Sequence, residues 1–153
     1  MRARILLVDD EHYVLQALKR VLSSHYEVYV ASSGEEGLAV IDSRGPFAAI
    51  VSDVRMNGMT GFDFLREAAE ADPTAQRLVL SGLPEEQVAE ALVGLEIFRV
   101  HAKPVCTEEI AESLAAAVAK YRLDREAEDG GQGKQTAEEQ SSAQSLPVGP
   151  KVT

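Results

Sequence analysis

The sequence Ile5-Leu-Leu-Val-Asp-Asp10 places two neighbouring carboxylates at the end of a short aliphatic run. A second run of the same kind, Ala49-Ile-Val-Ser-Asp53, ends on a single carboxylate. Continuous aliphatic runs of this length are typical of buried parallel strands. The carboxyl ends of such strands meet at one edge of the sheet, where open α/β sheets bind their ligands. We therefore expect Asp9, Asp10 and Asp53 to lie close together.

Three converging carboxylates require a positive partner. Without one they would repel each other and take up protons, whereas a hard divalent cation would keep them ionised. The sequence therefore predicts a Mg²⁺ site. Two further polar groups belong to the same pattern, because Ser81 ends the fourth apolar run and Lys103 follows the fifth. A hydroxyl and an ammonium beside three carboxylates indicate phosphoryl chemistry on a carboxylate.

Length and composition restrict the class of protein. The 153 residues, of which 45% are hydrophobic, suffice for one domain with a sizeable core. A formal net charge of -10 opposes binding to nucleic-acid phosphates or anionic lipid, so we expect no direct DNA binding and no membrane association. The single cysteine, Cys106, cannot form an internal disulfide, which suits a cytoplasmic protein.

Short aliphatic runs alternate along the chain with segments of helical period, which predicts βαβ units and a parallel sheet. The five predicted strands are residues 4–8, 28–31, 48–52, 77–81 and 98–102. Ser33 and Glu36 form a capping box that opens the second helix. The last helix begins at Thr107, and the repeats end near Leu123. We therefore predict one α/β domain over residues 1–123.

The composition changes after this domain. Residues 124–153 are rich in Gly, Gln, Ser and Glu, and contain few aliphatic side chains beyond alanine. Such a segment buries too little apolar surface to offset the entropy lost on ordering. We therefore expect a disordered tail and no second folded domain.

Four motifs stand at the ends of predicted strands. They are LLVDDE (residues 6–11), SDVRMNGMTG (52–61), LSG (80–82) and AKP (102–104). With this order and spacing, residues 1 to about 123 resemble the receiver domain of bacterial two-component response regulators. The resemblance implies a flavodoxin-like, doubly wound sheet of five parallel strands in the order 2-1-3-4-5.

The resemblance also implies a metal site and a phosphoacceptor. Asp53 would receive a phosphoryl group from a sensor histidine kinase, a phosphotransfer protein or a small phosphodonor. Asp10 would bind Mg²⁺ directly and Asp9 largely through water. Asp53 and the backbone carbonyl of Arg55 would complete the protein ligands.

Two further side chains would recognise the phosphoryl group. Lys103 would pair with one of its oxygens, and the Ser81 hydroxyl would swing in to bond another. In the family the peptide bond before the residue that matches Pro104 is often cis. Because Ser81 and Lys103 would bond only the phosphorylated form, they would bias an existing conformational equilibrium.

The family's output surface comprises the fourth helix, the fifth strand and the fifth helix, here about residues 85–123. This surface would bind a downstream protein, and a homodimer through the same face stays open. The resemblance thus implies a signalling switch that turns over no metabolite.

Several positions depart from the usual receiver pattern. Asn57 stands where a proline usually follows the methionine, and Thr60 replaces a common acid in the same loop. Val100 stands where an aromatic switch residue is usual, three positions before the lysine. We expect Phe98 to share the strand face of Val100, about 6 to 7 Å further from the site.

Two alternatives stay open beside a phosphorylatable regulator. Val100 and Asn57 suggest a receiver-like interaction module that binds partners without phosphorylation. A phosphatase of the haloacid dehalogenase type also phosphorylates an aspartate after a strand. Its acceptor is usually followed two residues later by a second aspartate, where this chain has Arg55.

Overall fold

A five-stranded parallel sheet forms the centre of the computed structural model, which describes residues 2–56 and 58–134, with side chains to residue 128. The strands are β1 (Arg4–Val8), β2 (Glu27–Ala31), β3 (Ala49–Asp53), β4 (Gln76–Ser81) and β5 (Arg99–Ala102). The helices are α1 (His12–Leu22), α2 (Gly34–Arg44), α3 (Gly61–Ala71), α4 (Glu85–Ala91) and α5 (Thr107–Lys134). The strand order is β2-β1-β3-β4-β5, which confirms the predicted flavodoxin-like α/β fold.

The strands coincide with the aliphatic runs of the sequence, and their ends differ from the predicted ones by at most one residue. β3 runs one residue further than predicted, so Asp53 is its last residue. In the register of the sheet, Val8 pairs with Ser52, and Ser81 pairs with Ala102. The chain segments that follow β1, β3, β4 and β5 therefore leave the sheet at the same edge.

Alternate residues of each strand pack into two apolar layers, one on each face of the sheet. Ile5 and Leu7 point into the layer completed by α1 and α5. Leu6 and Val8 point into the layer completed by α2, α3 and α4. With both faces covered, the strands need apolar residues at every position, which explains the continuous aliphatic runs.

Side-chain caps fix the starts of α2 and α3. The Ser33 hydroxyl accepts the Glu36 amide at 3.0 Å, as the capping box predicts. The Glu36 carboxylate does not bond the Ser33 amide, as a capping box would require. It accepts the backbone amide of Ser32 at 2.8 Å and the Ser32 hydroxyl at 2.9 Å. Thr60, which departs from the family pattern, caps α3 by accepting the Asp63 amide at 3.1 Å.

Gly61 lies where α3 begins against the end of β3. A Cβ at this position would lie 1.9 Å from the Asp53 carbonyl oxygen and 2.6 Å from the Val54 Cα. Because both obstacles are backbone atoms, we expect Gly61→Ala to lower the free energy of unfolding by about 3 kcal/mol in urea denaturation. The matched control is Gly82→Ala, whose Cβ would meet nothing within 4 Å. A comparable loss in the control would contradict this explanation.

The last helix continues past the boundary expected from composition. α5 runs to Lys134, so residues 124–134 are helical although they were expected to be disordered. The segment Asp124–Glu128 contains Arg, Ala and Glu, which favour a helix without burying apolar surface. The compact unit that contains the sheet ends at Tyr121, close to the predicted domain end near Leu123. The expected disorder of residues 135–153 lies outside the described residues.

The described helices were also compared with the length and hydropathy that a membrane span requires. Within residues 2–56 and 58–134, none is long and apolar enough to cross a bilayer.

Candidate functional site

The three carboxylates singled out in the sequence lie together at the carboxyl edge of the sheet. One oxygen each of Asp9, Asp10 and Asp53 lies within 4.8 Å of the others. Asp9 follows β1 and Asp53 ends β3, and these two strands are neighbours. Asp9 and Asp53 are 1% and 4% exposed, whereas Asp10 is exposed to solvent. The sheet therefore buries two negative charges side by side.

Backbone amides hold one oxygen of each buried carboxylate. Asp9 Oδ1 accepts the Glu11 amide, and Asp53 Oδ1 accepts the Val54 amide, both at 2.9 Å. Asp9 Oδ2 lies 3.1 Å from Lys103 Nζ without hydrogen-bond geometry. Among the side chains that the structure describes, it is the one buried polar atom that lacks a hydrogen bond. Leaving such an oxygen unsatisfied is costly, so it has capacity for a cation.

This donor set fits a hard divalent cation. Mg²⁺ prefers oxygen ligands, is usually bound through one or two carboxylates, and keeps several waters. Asp9 offers an oxygen without a hydrogen bond, and the exposed Asp10 leaves room for water. Arg55, whose carbonyl the resemblance assigns as a ligand, lies in the loop after β3 with its side chain exposed.

Lys103, which follows β5, brings a positive charge to these acids. Three carboxylate oxygens contact its Nζ, those of Glu11 at 2.7 Å, Asp9 at 3.1 Å and Asp53 at 3.4 Å. The bond between Lys103 and Pro104 is cis, as the resemblance implies. The structure therefore unites Lys103 with the predicted acids and adds Glu11, which the sequence reasoning missed.

Burial and charge shift the acid–base equilibria of the site. Burial raises the pKa of Asp9 and of Asp53, and the charge of Asp9 raises the pKa of Asp53 further. Burial alone would lower the pKa of Lys103, but its contacts with Glu11, Asp9 and Asp53 outweigh burial and raise it. Lys103 is therefore charged at neutral pH. Ionisation of the two buried carboxyl groups costs free energy at that pH, and a bound cation would reduce this cost.

This penalty gives a testable effect on stability. We expect Asp53→Asn to raise the free energy of unfolding by about 1 kcal/mol at pH 7 in EDTA. The pKa of Asp53 in the folded protein lies above the ordinary value of 3.8. At a pH above this folded-state pKa, the charge of Asp53 therefore destabilises the fold. The penalty disappears as the pH falls below 3.8. The difference in Tm between variant and wild type should therefore shrink between pH 7 and pH 4, and a constant difference would contradict this reasoning.

Ser81 ends β4, but its hydroxyl is engaged in a local turn. Its Oγ accepts the Leu83 amide at 2.8 Å and donates to the Leu83 carbonyl at 3.4 Å, and the residue is 1% exposed. Donation to a phosphoryl group, as the resemblance implies, would require the hydroxyl hydrogen to leave the Leu83 carbonyl. Gly82 leaves open space beside it. The role of Ser81 therefore stays a prediction that involves a side-chain movement.

Val100 and Phe98 pack against different layers of the core. Val100 packs with the layer that contains Val88 and Leu83, whereas Phe98 packs against the layer of α1 and α5. The expectation that the two share a strand face is wrong, because β5 begins at Arg99 and Phe98 lies before its pleat. Both residues nevertheless line a groove of about 440 Å³ between α4 and β5.

Known proteins provide independent comparisons. A family model described as the response regulator receiver domain matches residues 5–115. The hydrogenase transcriptional regulatory protein HoxA of Cupriavidus necator is 33% identical over 118 residues, which are 76% of this chain and 24% of HoxA. The response regulator MprA of Mycolicibacterium vanbaalenii is 33% identical over 156 residues, an alignment that covers all of this chain and 64% of MprA.

A solved receiver-domain structure has a similar fold. The response regulator receiver domain protein from Clostridium thermocellum superposes with a TM-score of 0.72 at 28% identity, over 79% of this chain and 98% of that one. The chain spans about a quarter of HoxA and less than two thirds of MprA. Because the family match runs from the first strand into the last helix, this chain belongs to the receiver domains of two-component response regulators, which are signalling domains.

Proposed function

We propose that this chain is a phosphorylatable response regulator and that Asp53 is its phosphoacceptor. The donor would be a sensor histidine kinase or a phosphotransfer protein. One observation carries the proposal, which is that a single ammonium, Lys103 Nζ, lies within 3.4 Å of both the Asp53 and the Asp9 carboxylates. Asp9, Asp10, Asp53 and the Arg55 carbonyl would hold Mg²⁺.

The phosphoryl transfer forms a mixed anhydride on Asp53. A carboxylate oxygen attacks the phosphorus as the bond to the donor nitrogen or oxygen breaks, and the donor departs with the electron pair. We assign the attack to Oδ2, because Oδ1 accepts the Val54 amide. Lys103 stabilises the charge that develops on the phosphoryl oxygens. Bound Mg²⁺ would supply further charge neutralisation for an in-line transfer.

The phosphorylated state would be read through protein binding. The Ser81 hydroxyl would donate to a phosphoryl oxygen instead of the Leu83 carbonyl, and Leu83 packs in the same layer as Val100. The groove between α4 and β5 lies in the region of the predicted output surface. We propose that this surface, with α5, binds a downstream protein or a second copy of the chain in the cytoplasm, without direct contact with DNA.

The proposal is tested by reaction with a small phosphodonor. Incubation with acetyl phosphate and Mg²⁺ should give an acid-stable, base-labile modification that retards the chain on a phosphate-affinity gel. EDTA should prevent it. An unmodified chain under these conditions would contradict the proposal. Steady hydrolysis of p-nitrophenyl phosphate would favour a phosphatase instead.

Val100, which stands where an aromatic switch residue is usual, favours a second candidate function. This is an interaction module that binds its partners equally well with and without phosphorylation. Beryllofluoride mimics the phosphoryl group, and amide NMR spectra recorded with and without it report whether the output surface responds. We expect shifts at Val88 and Val100 as well as at the site. Shifts confined to the residues around Asp53 would favour the second candidate.

A further inference from the structure

We propose that Glu11 is a positioning residue that occupies Lys103 in the resting state and gives way to the incoming phosphoryl group. This inference rests on the proposed phosphoacceptor function of Asp53. Its basis is the 2.7 Å contact between Glu11 Oε1 and Lys103 Nζ, the shortest of the three contacts that this ammonium makes with carboxylates.

Glu11 holds the ammonium of Lys103 more directly than the other two acids do. Of the three carboxylates within 3.4 Å of Nζ, Glu11 accepts a hydrogen bond at 2.7 Å, whereas Asp9 Oδ2 and Asp53 Oδ1 make charge contacts without hydrogen-bond geometry. A phosphoryl oxygen on Asp53 therefore competes with Glu11 for the same ammonium. Recognition of the phosphoryl group is thus an exchange of partners at Lys103.

Glu11 is the partner that is released at the lowest cost. Asp9 and Asp53 are buried and held by backbone amides, whereas the Glu11 side chain is 59% exposed. Glu11 occupies the N-cap position of α1, yet its carboxylate caps no helix amide. It can return to water without leaving a buried group unsatisfied. A phosphoryl group also adds negative charge beside it, and like charges repel.

The competition should weaken binding of phosphoryl analogues, and two variants separate contact from charge. Glu11→Gln removes the charge. Glu11→Asp keeps the charge but shortens the side chain, and aspartate at an N-cap favours the helix amides over Lys103. The control is Glu108→Gln, which removes a charge from the first turn of α5, where the carboxylate accepts from the Cys106 thiol at 3.4 Å.

The experiment is a calorimetric titration of the full chain with beryllofluoride at saturating Mg²⁺. We expect both Glu11 variants to bind about two- to fivefold tighter than wild type, and Glu108→Gln to match wild type. Mg²⁺ affinity without beryllofluoride should be the same for Glu11→Asp and wild type. Unchanged or weaker beryllofluoride binding by both Glu11 variants would overturn the inference. Tighter binding by Glu11→Gln alone, or loss of Mg²⁺ affinity in Glu11→Asp, would overturn it as well.

Asp53→Asn separates failure of this inference from failure of the proposed function. If wild type binds beryllofluoride and Asp53→Asn does not, the acceptor role stands whatever the Glu11 variants do. If wild type binds no beryllofluoride, or Asp53→Asn binds it as well as wild type does, the proposed function and the inference both fail.

Discussion

Asp53→Asn should lose phosphorylation by acetyl phosphate almost completely, by about a thousandfold or more in rate. The amide has nearly the shape of the carboxylate but lacks a nucleophilic oxygen. Its carbonyl can still accept the Val54 amide, so the backbone around the site is retained. The rate is measured as the slowly migrating fraction on a phosphate-affinity gel, over time and at saturating Mg²⁺.

A control variant and the stability of Asp53→Asn itself exclude simpler explanations of this loss. Asp63→Asn removes an exposed carboxylate from the first turn of α3 and should react like wild type. The Asp53 variant is expected to be more stable than wild type at neutral pH, so its inactivity would not arise from unfolding. Phosphorylation of Asp53→Asn at a wild-type rate would exclude Asp53 as the acceptor.

Lys103→Met should slow phosphorylation by about a hundredfold, the typical cost of removing one preorganised donor from a developing negative charge. Methionine keeps much of the apolar stem but removes the ammonium that contacts Asp9 and Asp53. The two buried carboxylates then lack that opposite charge, so the free energy of unfolding in EDTA should fall by about 2 kcal/mol. Mg²⁺ should restore part of this loss, because its charge acts on the same carboxylates.

The matched control for this variant is Lys19→Met, which removes an exposed ammonium from the last turn of α1. It should change neither the phosphorylation rate nor the response to Mg²⁺. If Lys103→Met is phosphorylated within about threefold of the wild-type rate, Lys103 does not contact the phosphoryl group during transfer. Loss of such a donor would slow the reaction far more than threefold.

The sheet was predictable because its physical cause is local in the sequence. A strand covered on both faces needs consecutive aliphatic residues, so Ile5–Val8 and Ala49–Val51 are visible without knowledge of the fold. Parallel order then brings Asp9 and Asp53 to one edge. The capping of α2 by Ser33 was visible for the same reason, since it depends on residues three apart.

The features that escaped prediction depend on contacts between distant segments or on exact strand ends. Glu11 lies 92 residues from Lys103 in sequence, and an exposed acid at a helix start looks like an ordinary cap. The third acid of the motif DDE was the available signal. Phe98 was misplaced because a one-residue change in the start of β5 removes it from the pleat. The length of α5 was missed because residues Asp124–Glu128 are exposed and contribute nothing to the core, while the arginine, alanine and glutamates among them favour a helix.

The position of the acyl phosphate in the chain decides whether Asp53 is the phosphoacceptor. After reaction with acetyl phosphate and Mg²⁺, borohydride reduction converts an aspartyl phosphate to homoserine, which peptide mass spectrometry locates. We expect homoserine at position 53 and unmodified aspartate at positions 9 and 10. Homoserine at another position, with Asp53 unmodified in a phosphorylated chain, would contradict the assignment of Asp53.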